Sequence, residues 1–374
     1  MFVCGPTIQD YIHVGHARTY VFYDLLSRYL RYLGFDVKFL LNITDVDESI
    51  VRGAKEKGAR IDEFQTKFAG AFLEDLRALR IETVTNIERV SKYLPEMVRQ
   101  VSGLLGAKKG YLADGSVYFD TTTFPDFGKL SHLKERELLM RPLEISRNKR
   151  NQHDFSLWRR TTDAEQQWSS PWGTGTPGWH IQDTAVSKTF FGPQYDIHGG
   201  ARELIYPHHE AEIAQMESLT GIRPCVRYWV HTGLLTLRRA KMSKSEGNAL
   251  YVRDVLSSHD SNALRLYLMG IHHTKDAEFS EHALKRWEER YWSMCGRFKA
   301  LKNLVRARGP TTAESTLRPF LDSLSNDVES KSAIDYLAKI LSQAVGDSDA
   351  KRAARFYSAA KTASAILGVQ LDRN

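Results

Sequence analysis

Hydrophobic and polar positions at the head of the chain read as strand, turn and helix. Met1, Phe2 and Val3 form an apolar run, which Gly5 and Pro6 break after Cys4. Phe22, Leu25, Leu26, Tyr29, Leu30 and Leu33 then recur at helical spacing, and Gly34 stands where a C-terminal cap belongs. Val37 to Leu41 is a short apolar run of the kind buried in parallel sheets, and it closes in Asn42-Ile43-Thr44-Asp45-Val46-Asp47. The pattern predicts a β-α-β unit over residues 1–48, and open α/β sheets take ligands at the carboxyl ends of such strands. Asp45 and Asp47 either meet a ligand there or cap the helix that starts at Glu48.

Beyond residue 50 the parallel pattern is interrupted. Helical periodicity returns at Ile61–Leu79 and from Pro95 to Leu105, and Asp114-Gly115 between Tyr111-Leu112 and Val117–Phe119 signals a hairpin. A basic, poorly periodic stretch with Arg147, Lys149 and Arg150 follows, most of its charge expected on solvated surface. The expected organisation is a Rossmann-like α/β fold. Residues 1–80 form its first half, 81–150 a connective insertion, 151–238 the second half, 239–278 a loop and stem-contact region and 279–374 an α-helical bundle. Val252 to Tyr267 reads as one helix, Gly309-Pro310 through Ser315 as a loop, and the rest from Glu281 as helices.

Three motifs carry candidate chemistry. His13-Val14-Gly15-His16 stands at the start of the first helix, where unpaired N–H groups and the macrodipole suit phosphate, although histidines there can also simply cap. Pro207 suits a helix start, which puts His208 and Glu212 at i, i+4 on one face, a divalent-metal spacing or a plain polar pair. Gly199-Gly200 would let a backbone approach adenosine. A formal charge of +7 suits a polyanionic partner, though ATP alone would also welcome basic groups. Three cysteines (Cys4, Cys225, Cys295) make no disulfide framework, and neither a membrane span nor a signal segment is evident, so a cytoplasmic location is expected. A monomer is expected rather than an oligomer.

With Lys241-Met242-Ser243-Lys244-Ser245 added, the chain resembles the class I aminoacyl-tRNA synthetases, whose signatures read H-I-G-H and K-M-S-K-S. The stretches Val3–Thr7, Asn42–Asp47, Pro177–Ile181, Asp196–Gly200 and Pro207–Glu210 narrow the resemblance to the cysteinyl-tRNA synthetases and their relative that joins cysteine to an amino-sugar in mycothiol synthesis. The resemblance implies activation of L-cysteine with ATP and transfer to tRNA. It places His13, His16, Lys241 and Lys244 at the phosphates with Mg²⁺, and Gly15, Gly199 and Gly200 at ATP. Gly5, Thr44 and Trp179 would line the amino-acid pocket, and Zn²⁺ would sit on Cys4, Asp183, His208 and Glu212.

At position 183 the family has a second cysteine, and Glu203 stands where it usually has aspartate. Zinc accepts carboxylate oxygen, though an added oxygen makes it harder and less thiolate-selective. Three readings stay open: zinc kept, zinc lost, or the amino acid changed. Between Glu281 and Pro310, eight Lys/Arg and three Glu interleave with Trp287, Tyr291, Trp292 and Phe298. That face is expected to touch tRNA or to be an ordinary amphipathic bundle helix. The chain starts and ends short of the usual family limits, without the small domain that reads the anticodon in longer relatives, which leaves open how the anticodon is read. Two rival functions are a ligase with a small amine acceptor and a silent tRNA-binding paralogue.

Overall fold

The first apolar run becomes the middle strand of a sheet. The computed structural model describes residues 1–133, 148–161, 166–237, 240–242, 248–305, 313–344 and 349–373, with the backbone alone at 240 and 241. Two compact units are distinguished: 1–11 with 38–72 and 85–231, and 12–37 with 73–84 and 232–374.

In the first unit β1 (Phe2–Val3) runs parallel to β2 (Leu40–Ile43) on one side and β8 (Tyr195–Ala201) on the other, with Phe2 opposite Leu40 and His198. The strand expected at Val37–Leu41 thus begins at Leu40. β3 (Asn86–Arg89) extends the sheet parallel to β2, and β9 (Val226–Thr232) flanks β8. The expected insertion, 81–150, therefore contains a strand of the parallel sheet. The Asp114-Gly115 hairpin forms as β4 (Gly110–Ala113) and β5 (Ser116–Phe119). β6 (Phe155–Arg160) and β7 (Gly175–Pro177) join it in an antiparallel sheet, so residues expected in the second half of the Rossmann-like fold lie with the insertion. One core serves both sheets: Phe2 and Leu40 pack in a cluster with Val117, Phe119, Phe155 and Trp158. Helices α3 (Ile61–Ala78) and α4 (Leu94–Gly106) lie where the periodicity put them, and α2 (Glu48–Glu56) starts at Glu48, where the capping reading placed a helix. Asp47 caps α2 through the Ser49 N–H, whereas Asp45 is buried and accepts from the N–H and hydroxyl of Ser91.

α5 (Trp179–Phe191) and α6 (Glu210–Thr220) give the core Ile181, Ala185, Ala211 and Ala214. A loose helical turn over Ile205–His209 precedes α6, so the regular helix starts three residues after Pro207.

The second unit opens with α1 (Val14–Tyr32), which Leu33 and Gly34 close as expected, Gly34 at φ +94°. The single helix expected over Val252–Tyr267 is two, α7 (Val252–Leu256) and α8 (Ser261–Met269). The reason is local: the Asp260 carboxylate accepts from the N–H groups of Asn262 and Ala263, which starts a new helix. A small sheet of β10 (Leu235–Leu237), β11 (Ala240–Lys241) and β12 (Ala277–Glu278) accompanies them. α9 (Glu281–Val305), α10 (Glu314–Ser325), α11 (Ser330–Ala344) and α12 (Ala350–Leu367) pack together as the expected bundle. Of the expected loop, 309–312 lie outside the described residues, and Glu314 already belongs to α10. Tyr291 and Phe298 are buried, so those two aromatics serve the bundle core, while Trp292 is exposed.

A buried charge network ties this unit together. The fully buried Arg265 of α8 pairs with Asp24 of α1 and donates to the carbonyls of Leu79 and Leu367. Burial pushes the Asp24 carboxyl up, but Arg265 and Arg28 together hold it below its ordinary range. Its contribution is thus complete above the ordinary carboxylate pKa and is lost as pH falls through the depressed one. In urea denaturation at neutral pH, Arg265→Met is expected to lower stability by about 3 kcal/mol, and the gap from wild type should narrow as acid protonates Asp24.

Candidate functional site

The carboxyl ends of the parallel strands gather one buried cluster. Cys4 follows β1 directly, its N–H donating to the Gly199 carbonyl at 3.1 Å. Gly5 is obligatory, because a Cβ there would stand 1.5 Å from the Asn42 carbonyl oxygen. Asp183 projects from α5, and His208 and Glu212 flank the start of α6. Ligand atoms from Cys4, Asp183, His208 and Glu212 lie within 4.8 Å of one another, and all four residues are buried. His208 Nε2 is 3.1 Å from Asp183 Oδ2 and 2.9 Å from Glu212 Oε1. The i, i+4 pair is therefore made, and the structure brings the four predicted ligands together.

Burial pushes the Cys4 thiol well up, with the Asp183 and Glu212 carboxylates adding to it. Burial opposes charge on His208, but Glu212 and Asp183 overcome it and hold the imidazole up at about 10. Burial raises Glu212 to about 7, with His208 pulling the other way. A pocket with one thiol, two carboxylates and little water calls for a positive charge at its centre, from a proton or a metal ion. One observation favours the ion. The buried Glu212 Oε1 and Asp183 Oδ2 share the single Nε2–H of His208, so one proton does not satisfy both oxygens and a further positive centre is called for. The donor set, one sulfur, one nitrogen and two carboxylates, suits zinc.

Several supporting residues were not singled out by the sequence analysis. The Gly5 N–H donates to Asn42 Oδ1 at 2.7 Å, which turns the Asn42 amide so that Nδ2 donates to Asp183 Oδ1 at 2.7 Å. Asp183 thus keeps Oδ2 for the cluster. His180 Nδ1 lies 2.8 Å from His208 Nδ1, and burial holds His180 neutral. His198 and His209 approach the Cys4 sulfur at 3.4 and 3.3 Å, and with Cys4 and Glu212 they form a second possible ligand set. Their outer nitrogens are occupied by the Tyr195 hydroxyl (2.6 Å) and His231 (2.8 Å). The Asp183 set carries the greater negative charge, and it is favoured on that ground. Trp179 is exposed over about half its surface, its ring centre 5.4 Å from that of His208, so it stands at the mouth of the cluster. Thr44 is buried, and its N–H donates to the Pro6 carbonyl beside Gly5.

The second unit holds the histidine turn. His13 is the N-cap of α1: its Nδ1 accepts from the N–H groups of Gly15 and His16 at 3.1 and 3.4 Å, and His16 Nδ1 accepts from the His13 N–H at 3.3 Å. Val14 N–H donates to Leu250, and Ala17 N–H to His13. The expectation that unpaired first-turn N–H groups meet phosphate is thereby corrected, since capping uses them. Neutral rings whose Nδ1 atoms accept carry their protons on Nε2, and they become the donors instead. A Cβ at Gly15 would press to 2.9 Å from the His13 ring. The segment after the lysine motif pairs with this turn, His13 bridging to Tyr251. Lys244 lies outside the described residues, and Lys241 is placed only by its backbone in β11. Gly199 and Gly200 lie at the end of β8, where a Cβ on Gly200 would meet Leu204 at 2.8 Å.

Residues 1–289 match the catalytic-domain family of class I (C) tRNA synthetases. The chain is 42% identical over 286 residues to the cysteine–tRNA ligase of Thermoplasma volcanium, across 76% of this chain and 63% of that protein. It is 38% identical over 335 residues to that of Thermoplasma acidophilum, across 89% and 74%. The chain thus spans roughly two thirds of the length of these curated relatives. Its fold is similar to Mycobacterium tuberculosis methionyl-tRNA synthetase in complex with methionyl-adenylate, with a TM-score of 0.69 at 16% identity over 98% of this chain and 89% of that one. Sequence and fold agree: the chain belongs to the cysteine–tRNA ligase family of class I aminoacyl-tRNA synthetases.

Proposed function

We propose that the chain activates cysteine with ATP and passes it to the terminal adenosine of tRNA. The observation that carries this reading is the convergence of Cys4, Asp183, His208 and Glu212 in one buried cluster. A zinc ion held by these four residues would bind the substrate thiolate, and so separate cysteine from serine and alanine beyond the roughly 1–3 kcal/mol that apolar contact supplies. Trp179, Gly5 and Thr44 wall the amino-acid pocket.

In the first step the amino acid's carboxylate attacks the α-phosphorus of ATP, and pyrophosphate leaves. No protein nucleophile is needed, so the side chains act by positioning and by neutralising charge. His13 and His16 offer Nε2–H donors to the phosphates. Lys241 and Lys244 add positive charge, Mg²⁺ accompanies ATP, and Gly15, Gly199 and Gly200 allow close approach of the nucleotide. In the second step a ribose hydroxyl of tRNA attacks the adenylate carbonyl, and AMP leaves. Residues 239–278 and the bundle at 279–374 would meet the tRNA.

ATP–pyrophosphate exchange should depend on cysteine and not on serine or alanine; no exchange with any of them, with tRNA present, would overturn the reading. His16→Ala should lower the exchange rate by about 10²-fold with the KM for cysteine little changed, as expected for lost charge stabilisation. Asn42→Ala frees Asp183 to turn, and in a chelator competition it should weaken zinc binding by about 10–100-fold.

A further inference from the structure

A second cluster of ligating side chains lies in the second unit, apart from every residue used above. The segment after α8 carries His272 and His273, and the turn between α10 and α11 carries Asp327 and Glu329. His272 Nε2 stands 3.5 Å from Asp327 Oδ2 and 3.6 Å from Glu329 Oε1, and His273 Nε2 stands 3.8 Å from Asp327 Oδ1. These separations are too long for hydrogen bonds. Around one tetrahedral ion with bonds of about 2.0–2.1 Å, neighbouring ligand atoms lie about 3.3–3.5 Å apart, so small movements would seat an ion among them. We infer that His272, His273 and Asp327, with Glu329 as the adjoining fourth donor, form a site for a divalent transition-metal ion of the zinc class.

Three features support it. His272 Nδ1 accepts from the Thr274 N–H at 3.4 Å and lies 2.9 Å from the Thr274 hydroxyl, contacts that fix the ring with Nε2 turned toward the two carboxylates. His273 is buried and stacked on Phe22 with ring centres 4.6 Å apart, which holds its Nε2 toward Asp327. Both sides are also fixed in place. The buried Arg18 donates to the carbonyls of His272 and Lys275, holding the histidine segment. Opposite, the Ser330 hydroxyl donates to the Met269 carbonyl at 2.6 Å, which docks the acidic turn on the end of α8. That turn holds Asp327 at φ +50° and Val328 at +52°, and for a β-branched valine this is an uncommon conformation. Two imidazoles with carboxylate oxygen select zinc, cobalt or nickel over magnesium or calcium. The bound ion would tie the end of α8 to the α10–α11 turn.

The test is a cobalt titration of the full chain after chelator treatment, followed by optical absorption. Cobalt at the Cys4 cluster gives a thiolate charge-transfer band, and cobalt at the second site gives only weak visible bands. The wild type should take up about two equivalents, one of each spectral kind. His272→Gln should lose the thiolate-free class by at least about tenfold in affinity and keep the other. Asp327→Asn, at an exposed position, decides the matter should His272→Gln not fold. Absence of a thiolate-free class in the wild type, or its survival in both variants, would overturn the assignment.

Discussion

Cys4, Asp183 and Glu212 set three acidic groups around His208 Nε2, all of them buried. Burying charge costs several kcal/mol per ion unless opposite charge is supplied on the spot, so this pocket demands a cation and much of the first unit's local architecture serves it. The parallel register puts the ends of β1, β2 and β8 side by side, which brings Cys4, Asn42 and Gly199 together. Gly5 is needed because the chain leaving Cys4 passes against the Asn42 carbonyl. The shared core of Ile181, Ala185 and Ala211 fixes α5 and α6, and with them Asp183, His208 and Glu212.

Much of this was legible from spacing. The i, i+4 relation of His208 and Glu212, the Asp114-Gly115 hairpin and the Asp47 cap are local, and local rules suffice for them. Features that depend on partners distant in sequence were not. β3 looked like insertion because only pairing with β2 reveals its place, and Asn42 shows its role only beside Gly5 and Asp183. His198 and His209 sat inside quoted motifs, yet their approach to Cys4 comes from sheet register and the turn before α6. The first-turn N–H groups of α1 misled for a different reason: a histidine at the N-cap is also a hydrogen-bond acceptor, and it uses the donors that phosphate would have taken. Tyr291 and Phe298 likewise matched a basic aromatic face by composition, while the bundle turns them inward.

Asp183 brings an oxygen donor to the cluster beside the Cys4 sulfur. A carboxylate carries the same formal charge as a thiolate but is a harder donor. Asn42 limits that oxygen donor to one atom, because its amide holds Oδ1 at 2.7 Å. The site would then rely on the substrate's own sulfur for its second thiolate.

Zinc-edge X-ray absorption on the purified protein, with and without cysteine, tests this account most directly. One sulfur and three oxygen or nitrogen neighbours are expected without substrate, matching Cys4, Asp183, His208 and Glu212, and a second sulfur should appear when cysteine binds. Bound zinc whose neighbours do not change with cysteine, or a protein that takes up no zinc at this cluster, would contradict it.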